Sequence, residues 1–371
     1  MTSSAPPLAG DRSGKVVALV SALIDEAVRE RASDIHLDPV PEGLRVRMRI
    51  DGMLSERHIL PPDVRLECIA RIKILAAMRS DEHNAAQDGR FRYRGEGGEL
   101  DIRVSVMPTY HGENAVLRLL GGNGELQSLT ELGFSASDAE LFGNVMKRTS
   151  GLVLATGPTG SGKTTTLYAL MRLINADVSS VVTIEDPIEY AMPGVRQIPV
   201  RERQGLTFGT GLRSVLRQDP DTIMVGEIRD TETAKLAVNA ALTGHLVLSS
   251  LHTTDAASAI PRLLDMEAEP YLLASTLSLI VAQRLVRRIC TACAGAGCEP
   301  CRKSGYRGRL CIYESLSIDD ALREAILERK SAGDIRKLTE KHGLKTMLVD
   351  GTEKAAFGAT TMDEVLRTLH E

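Results

Sequence analysis

The chain has 371 residues, 43% hydrophobic and 25% charged, with a formal net charge of -4, which suits two or three ordinary domains and excludes a small disulfide-stapled scaffold. No run of about 18 apolar residues occurs, so the sequence contains no bilayer-crossing helix and reads as soluble or peripheral. The acidic balance argues against a protein that coats nucleic acid, and six cysteines without an export signal suit a reducing compartment, where close pairs serve as metal ligands more often than as disulfides.

Residues 1–14 are rich in Ser, Pro and Gly and read as a flexible tail. Val16, Leu19, Val20, Leu23, Ile24, Ala27 and Val28 recur at helical spacing and predict an amphipathic helix, with the pattern broken at Ser33-Asp34. Leu44, Val46, Met48 and Ile50 alternate with Arg45, Arg47 and Arg49, the period of a half-buried strand, and Asp51-Gly52 supplies a turn. A second helix is predicted from Asp63 to Met78, burying Cys68, Ile69, Ile72 and Leu75. Strands Phe91 to Arg94 and Leu100 to Met107 then flank a turn at Gly95 to Gly98. Residues 15–120 are expected to form one α+β domain. Gly121, Gly122 and Gly124 mark a linker at 121–127, suited to a hinge.

After a helix near Ser137 to Lys147, the apolar run Gly151 to Ala155 leads into Gly157-Pro158-Thr159-Gly160-Ser161-Gly162-Lys163-Thr164, followed by a helix-favouring run from Thr165 to Leu173. Strand, glycine loop and helix in that order form a phosphate-binding loop. Its glycines let backbone amides turn toward the α- and β-phosphates of a nucleotide such as ATP. Lys163 reaches the β- and γ-phosphates, Thr164 offers its hydroxyl to magnesium, and the helix opening around Thr165 adds its dipole. Further apolar strands near Val181 to Ile184, Thr222 to Val225 and Leu246 to Leu251 alternate with helical patterns, which predicts a buried, mostly parallel sheet with helices on both faces over residues 128–289. Past Asp255 the chain reads as helical, apart from a cysteine knuckle at 290–301 and a short strand near Leu310 to Glu314. Residues 302–371 are expected to form a mostly helical subdomain.

Strand Thr222 to Val225 ends in Gly226-Glu227, at the edge where ligands of parallel sheets collect, so Glu227 is the candidate carboxylate for magnesium. In the acidic stretch Glu185-Asp186-Pro187-Ile188-Glu189, Glu189 is the candidate base for an attacking water. His245 and His252 bracket the strand between them. A γ-phosphate sensor, an interface contact and a hydrogen-bonded core histidine all remain open for them. Arg90 and Arg103 lie in the other domain and read either as solvated strand-face residues or as arginines delivered across a subunit boundary.

Cys290, Cys293, Cys298 and Cys301 form two C-x-x-C pairs, the four thiolates of a closed tetrahedral zinc site. Only Ala294-Gly295-Ala296-Gly297 separates the pairs, where zinc ribbons commonly insert roughly 15–20 residues. A redox dithiol or a vestigial loop is the alternative. Cys68 and Cys311 read as buried thiols. Val281 to Leu310 also carries seven basic residues against the single acid Glu299, a patch suited to anionic lipid or an acidic protein loop.

From Ala32 to Leu369 the sequence resembles the secretion ATPase superfamily that powers type II secretion and type IV pilus assembly. The resemblance rests on Arg31-Ala32-Ser33-Asp34-Ile35-His36, the phosphate loop, Glu185 to Glu189, Val225-Gly226-Glu227-Ile228-Arg229-Asp230, and Gly244-His245 to Leu251-His252-Thr253, in family order. It implies a RecA-like P-loop ATPase domain preceded by a smaller α+β, PAS-like domain, assembled as a homohexamer. Glu189 falls on the catalytic glutamate, Glu227 on the magnesium-site glutamate, and Arg90 and Arg103 on arginines that reach the neighbouring subunit's nucleotide. It further implies ATP, Mg2+ and Zn2+ as cofactors, a cytoplasmic location at the inner membrane, a platform-protein partner and no nucleic-acid partner. The cysteine knuckle resembles the assembly branch rather than the retraction motors. Many secretion members carry an additional amino-terminal domain that docks onto an inner-membrane partner, which these 371 residues do not include.

Overall fold

The computed structural model describes residues 10–95, 98–120, 127–174 and 176–370. The chain forms two compact units that divide between residues 125 and 126. Residues 121–126 of the linker expected at 121–127 and the centre of the expected turn at 95–98 lie outside the described residues.

The first unit runs α1 (Gly10–Arg29), β1 (Ala32–Val40), β2 (Gly43–Ile50), β3 (Met53–Leu60), α2 (Arg65–Leu75), β4 (Gln87–Gly95), β5 (Gly98–Thr109) and β6 (Gly112–Leu120). The strands form an antiparallel sheet in the order β3-β2-β1-β6-β5-β4. Val20, Leu23, Ile24 and Ala27 of α1 and Cys68, Ile69 and Ile72 of α2 pack on the sheet's apolar positions, among them Ile35, Leu37, Val46, Met48, Ile102 and Leu117. Strand alternation leaves Arg45, Arg47, Arg49, Arg90, Arg103 and Arg118 outside that core.

One expectation changes here. Helix α1 begins at Gly10, inside the stretch expected to be tail; once its apolar stripe is anchored, each added residue gains a hydrogen bond without a new nucleation cost. The expected break in the helical pattern at Ser33-Asp34 holds, since α1 ends at Arg29 and both residues lie in β1, where Ile35 and Leu37 enter the core. Asp34 is buried with its carboxylate held by Arg118 Nε at 2.9 Å and Ser33 Oγ at 2.8 Å.

The second unit runs α3 (Leu129–Leu132), α4 (Ala136–Val145), β7 (Gly151–Thr156), α5 (Lys163–Met171), β8 (Val181–Glu185), β9 (Arg196–Pro199), α6 (Phe208–Val215), β10 (Thr222–Val225), α7 (Thr231–Leu242), β11 (Leu246–Leu251), α8 (Ala259–Asp265), α9 (Pro270–Thr276), β12 (Leu277–Ile289), β13 (Tyr306–Ser317), α10 (Asp320–Leu327), α11 (Ala332–Lys341), α12 (Met347–Ala356) and α13 (Met362–His370). The sheet order is β13-β12-β7-β11-β10-β8-β9, parallel except for the β12–β13 pair. One face packs on α6 to α10 through Leu152, Leu154, Ile184 and Val225; the other packs on α3 to α5 through Val153, Ala155, Met224 and Leu248. The result is an α/β unit with a mixed sheet.

The stretch after Asp255, expected to be helical up to the knuckle, contains the 13-residue strand β12, and β13 extends well beyond the short strand expected at 310–314. The apolar residues of Leu277 to Ile289 satisfy helical spacing as well as strand spacing. Pairing to β7 on one side and β13 on the other decides between them. Among the described residues no helix is long and apolar enough to cross a membrane.

Candidate active site

Parallel pairing brings the carboxyl ends of β7, β8, β10 and β11 to one edge of the sheet. Thr156 pairs with Leu251 and Val225 with Ile184 and Ser249, so the residues that follow these strands emerge side by side. The loop 157–162 leaves β7 there and Gly162, at φ 87°, caps α5. Gly157 stands at φ 144°, and a Cβ on it would lie 2.5 Å from both Ser161 Oγ and the Gln283 carbonyl oxygen, so only glycine fits.

Lys163 opens α5, and its Nζ donates to the carbonyls of Gly157 at 2.9 Å and Pro158 at 3.0 Å, which holds the ammonium over the loop. Burial pulls its pKa down to about 8; the Glu227 charge works against that shift and the Arg284 charge adds to it.

Glu227 follows β10 directly. Its carboxylate accepts from Arg229 Nη2 at 2.5 Å and lies 3.2 Å from His252 Nε2, so the residue after β11 meets the residue after β10. Burial opposes ionisation of Glu227, but the Arg229 and His252 contacts outweigh it and hold the carboxyl below the usual range. An ionised carboxylate beside the phosphate loop is the donor type a magnesium ion takes.

In the acidic stretch, Glu185 is buried and committed: its carboxylate accepts from Thr183 Oγ1 at 2.5 Å, from Gln197 Nε2 at 3.2 Å and from the Tyr168 hydroxyl. Glu189 is half-buried in the loop beyond it.

His245 is a correction. It precedes β11, its carbonyl accepts from the Gly151 amide, and its Nδ1 lies 3.0 Å from the Ala240 carbonyl at the end of α7. That is the opposite end of the sheet from the phosphate loop, about 20 Å away along the strand. His245 therefore does not join the nucleotide site of its own chain.

In the first unit Arg90 pairs with Arg103 across β4–β5, and Arg103 with Arg118 across β5–β6. All three are exposed. Cys290, Cys293, Cys298 and Cys301 converge, with every Sγ within 4.8 Å of the others and pairs at 3.5, 3.7 and 3.8 Å. Cys68 and Cys311 are apart and buried, and burial pushes their pKa values up to about 11 and about 12.

The basic patch is smaller than its seven charges suggest. Arg287 donates to Glu364 at 2.5 Å and lies over the Tyr306 ring, Arg288 donates to the Glu131 carbonyl at 3.2 Å, and Arg284 is half-buried near Lys163. Arg302, Lys303, Arg307 and Arg309 remain exposed.

Residues 10–367 match the family described as Type II/IV secretion system protein. The chain belongs to that family. It is 45% identical over 366 residues to the type II secretion system protein HxcR of Pseudomonas aeruginosa, covering 96% of this chain and 78% of that one. It is 43% identical over 380 residues to the type IV pilus assembly ATPase PilB of Myxococcus xanthus, covering 95% and 67%. A crystal structure of the pilus retraction motor PilT with bound ADP superposes with a TM-score of 0.68 at 31% identity over 93% of this chain and 95% of that one. The Yersinia pseudotuberculosis ATPase DotB shares the fold, with a TM-score of 0.74 at 22% identity over 95% and 93%. This member of the secretion family is an ATPase.

The roles of two site residues of this secretion ATPase were not legible in the sequence. Arg229 was legible only as part of a motif, and nothing in the sequence pairs it with Glu227. Gln283 comes from β12, 1% exposed, and donates its Nε2 to the Ser161 carbonyl at 2.7 Å. Because that segment read as a helix, no spacing placed Gln283 under the loop.

Proposed function

We propose that this chain is the ATP-hydrolysing motor of pseudopilus or pilus assembly, in a type II secretion or type IV pilus system. It works as a homohexamer on the cytoplasmic side of the inner membrane, against a platform protein there. The observation that carries this reading is the meeting of Lys163, Glu227 and His252 at one sheet edge. Sequence identity to relatives named for type II secretion and pilus assembly supports the choice of machine.

In this reading the larger unit is RecA-like and the smaller PAS-like. Residues Gly157 to Thr165 bind the nucleotide, with Lys163 on the β- and γ-phosphates. Thr164 and Glu227 would hold magnesium, which when bound neutralises charge on the phosphates. Glu189 takes the proton of the attacking water, and His252 holds the Glu227 carboxylate in place. Arg90 and Arg103 come from a neighbouring copy. Like charges directly opposite each other are unfavourable on a sheet, so the exposed pair Arg90 and Arg103 suits an anionic partner, while the adjacent Arg118 already meets Asp34.

The four cysteines would hold zinc. Tetrahedral zinc with bonds of about 2.3 Å sets neighbouring sulfurs about 3.8 Å apart, close to the 3.5 to 3.8 Å spacings here. Zinc there is structural and supports assembly over retraction. Arg302, Lys303, Arg307 and Arg309 are the exposed basic residues that this reading assigns to contact with anionic lipid. The 31% identity to PilT keeps retraction as the second reading; a nucleic-acid translocase is disfavoured by the net charge of -4.

Mixing chains tests the assembled site. Arg90→Ala or Arg103→Ala should each lower turnover on the order of a thousandfold, and adding a Lys163→Ala chain should partly restore it, with no change when single-stranded DNA is added. No rescue at any ratio would reject arginine delivery between copies, and stimulation by the DNA would favour the translocase.

A further inference from the structure

The half-buried side chain of Gln197 closes the neck of the loop that carries Glu189. It lies on β9, opposite Thr183 of β8. Its Oε1 accepts from the Met192 amide at 2.7 Å, while its Nε2 reaches the Tyr190 carbonyl at 3.1 Å, Glu185 Oε1 at 3.2 Å and the Tyr168 oxygen at 3.3 Å. One amide side chain thus ties the end of β8 to the backbone seven residues downstream.

Tyr168 makes the second tie. It sits on α5, five residues after Lys163, and is fully buried. Its hydroxyl donates to Glu185, its oxygen takes a backbone hydrogen bond from Glu189, and its ring meets Tyr190 edge-on with centroids 4.6 Å apart. The helix that presents Lys163 and the loop that presents Glu189 therefore share one buried set of hydrogen bonds, with both ends anchored in β8 and β9.

We propose that Gln197 and Tyr168 are positioning residues for Glu189, fixing the acidic loop at one distance from the phosphate-loop helix. This rests on the reading of Glu189 as the base. A base must lie within hydrogen-bond reach of the water it deprotonates, and a displacement of about 1 Å can cost on the order of a hundredfold in rate. Among the described residues neither side chain hydrogen-bonds the loop at 157–162; both act on the acidic loop instead.

The test is steady-state ATP hydrolysis by Gln197→Leu and Tyr168→Phe, with kcat and KM separated, and single-turnover hydrolysis of both variants in a Glu189→Gln background. Expected is a fall in kcat on the order of 10- to 100-fold, with KM and ADP affinity within about twofold of the unsubstituted chain, and no further loss in the Glu189→Gln background. Unchanged kcat, or an equal loss with and without Glu189, would overturn the proposal. Tyr168→Phe removes one oxygen and keeps the ring, so it remains readable if Gln197→Leu does not fold. Full activity in Glu189→Gln alone would instead remove the reading of Glu189, and the proposal with it. Inactive Glu189→Gln beside native kcat in Tyr168→Phe would remove only the proposal.

Discussion

Lys163 carries two opposed demands in one side chain. Its ammonium must be charged to meet phosphate, yet it is buried and lies near Arg284, and its pKa falls to about 8. The proton is therefore present below that pH and is lost as pH rises through it. Affinity for magnesium ATP should fall about tenfold between pH 7 and pH 9, as the charged fraction falls in the free protein. Titrating nucleotide binding by fluorescence across that range checks this, and constant affinity through pH 9 would contradict the placement of Lys163. At this scale the sequence was most informative where chemistry demands one residue type at one spacing, as in Gly157 and Lys163. It was uninformative about pairing across strands: no spacing rule brings His252 onto Glu227 or removes His245 from the site, because both follow from which strand lies beside which and in what direction.

Strand β12 is the element the sequence misread, and it links two sites. One part of it supplies Gln283 beneath the phosphate loop, and it ends at Ile289, directly before Cys290 of the knuckle. Its Leu and Arg residues suit a helix while its Ile and Val residues suit a strand, so local preference leaves the segment undecided. Two flanking strands decide it. Beyond it, Glu364 of α13 receives Arg287 and Arg367, whose charges hold its carboxyl down to about 2 despite its burial, and so pin the last helix on the strand. The knuckle was legible because the two C-x-x-C pairs are explicit, and the glycines at 295 and 297 adopt φ of 89° and 88°, which makes the tight reversal feasible. Native mass spectrometry should find one zinc per chain, lost when Cys290, Cys293, Cys298 and Cys301 become serine and retained when Cys68 and Cys311 do. Metal-free protein purified without chelator would remove the site.

As a whole the molecule places the phosphate-loop residue Lys163 and the carboxylate of Glu227 in one unit and the exposed Arg90 and Arg103 in the other. Hydrophobic patterning made the α/β character of the second unit legible, because every residue of β7, β8, β10 and β11 is buried and most are apolar. The long β12–β13 hairpin was not legible, since β7, the strand that joins it to the sheet, lies far away in sequence. The central claim is that this chain turns over ATP with Lys163 holding phosphate and Glu227 serving the metal. Phosphate release, paired with nucleotide binding, tests it most directly in the unsubstituted chain, Lys163→Ala and Glu227→Gln. The account expects turnover in the first, neither binding nor turnover in the second, and binding without turnover in the third; undiminished phosphate release from Lys163→Ala, or equal loss of binding in both variants, would contradict it.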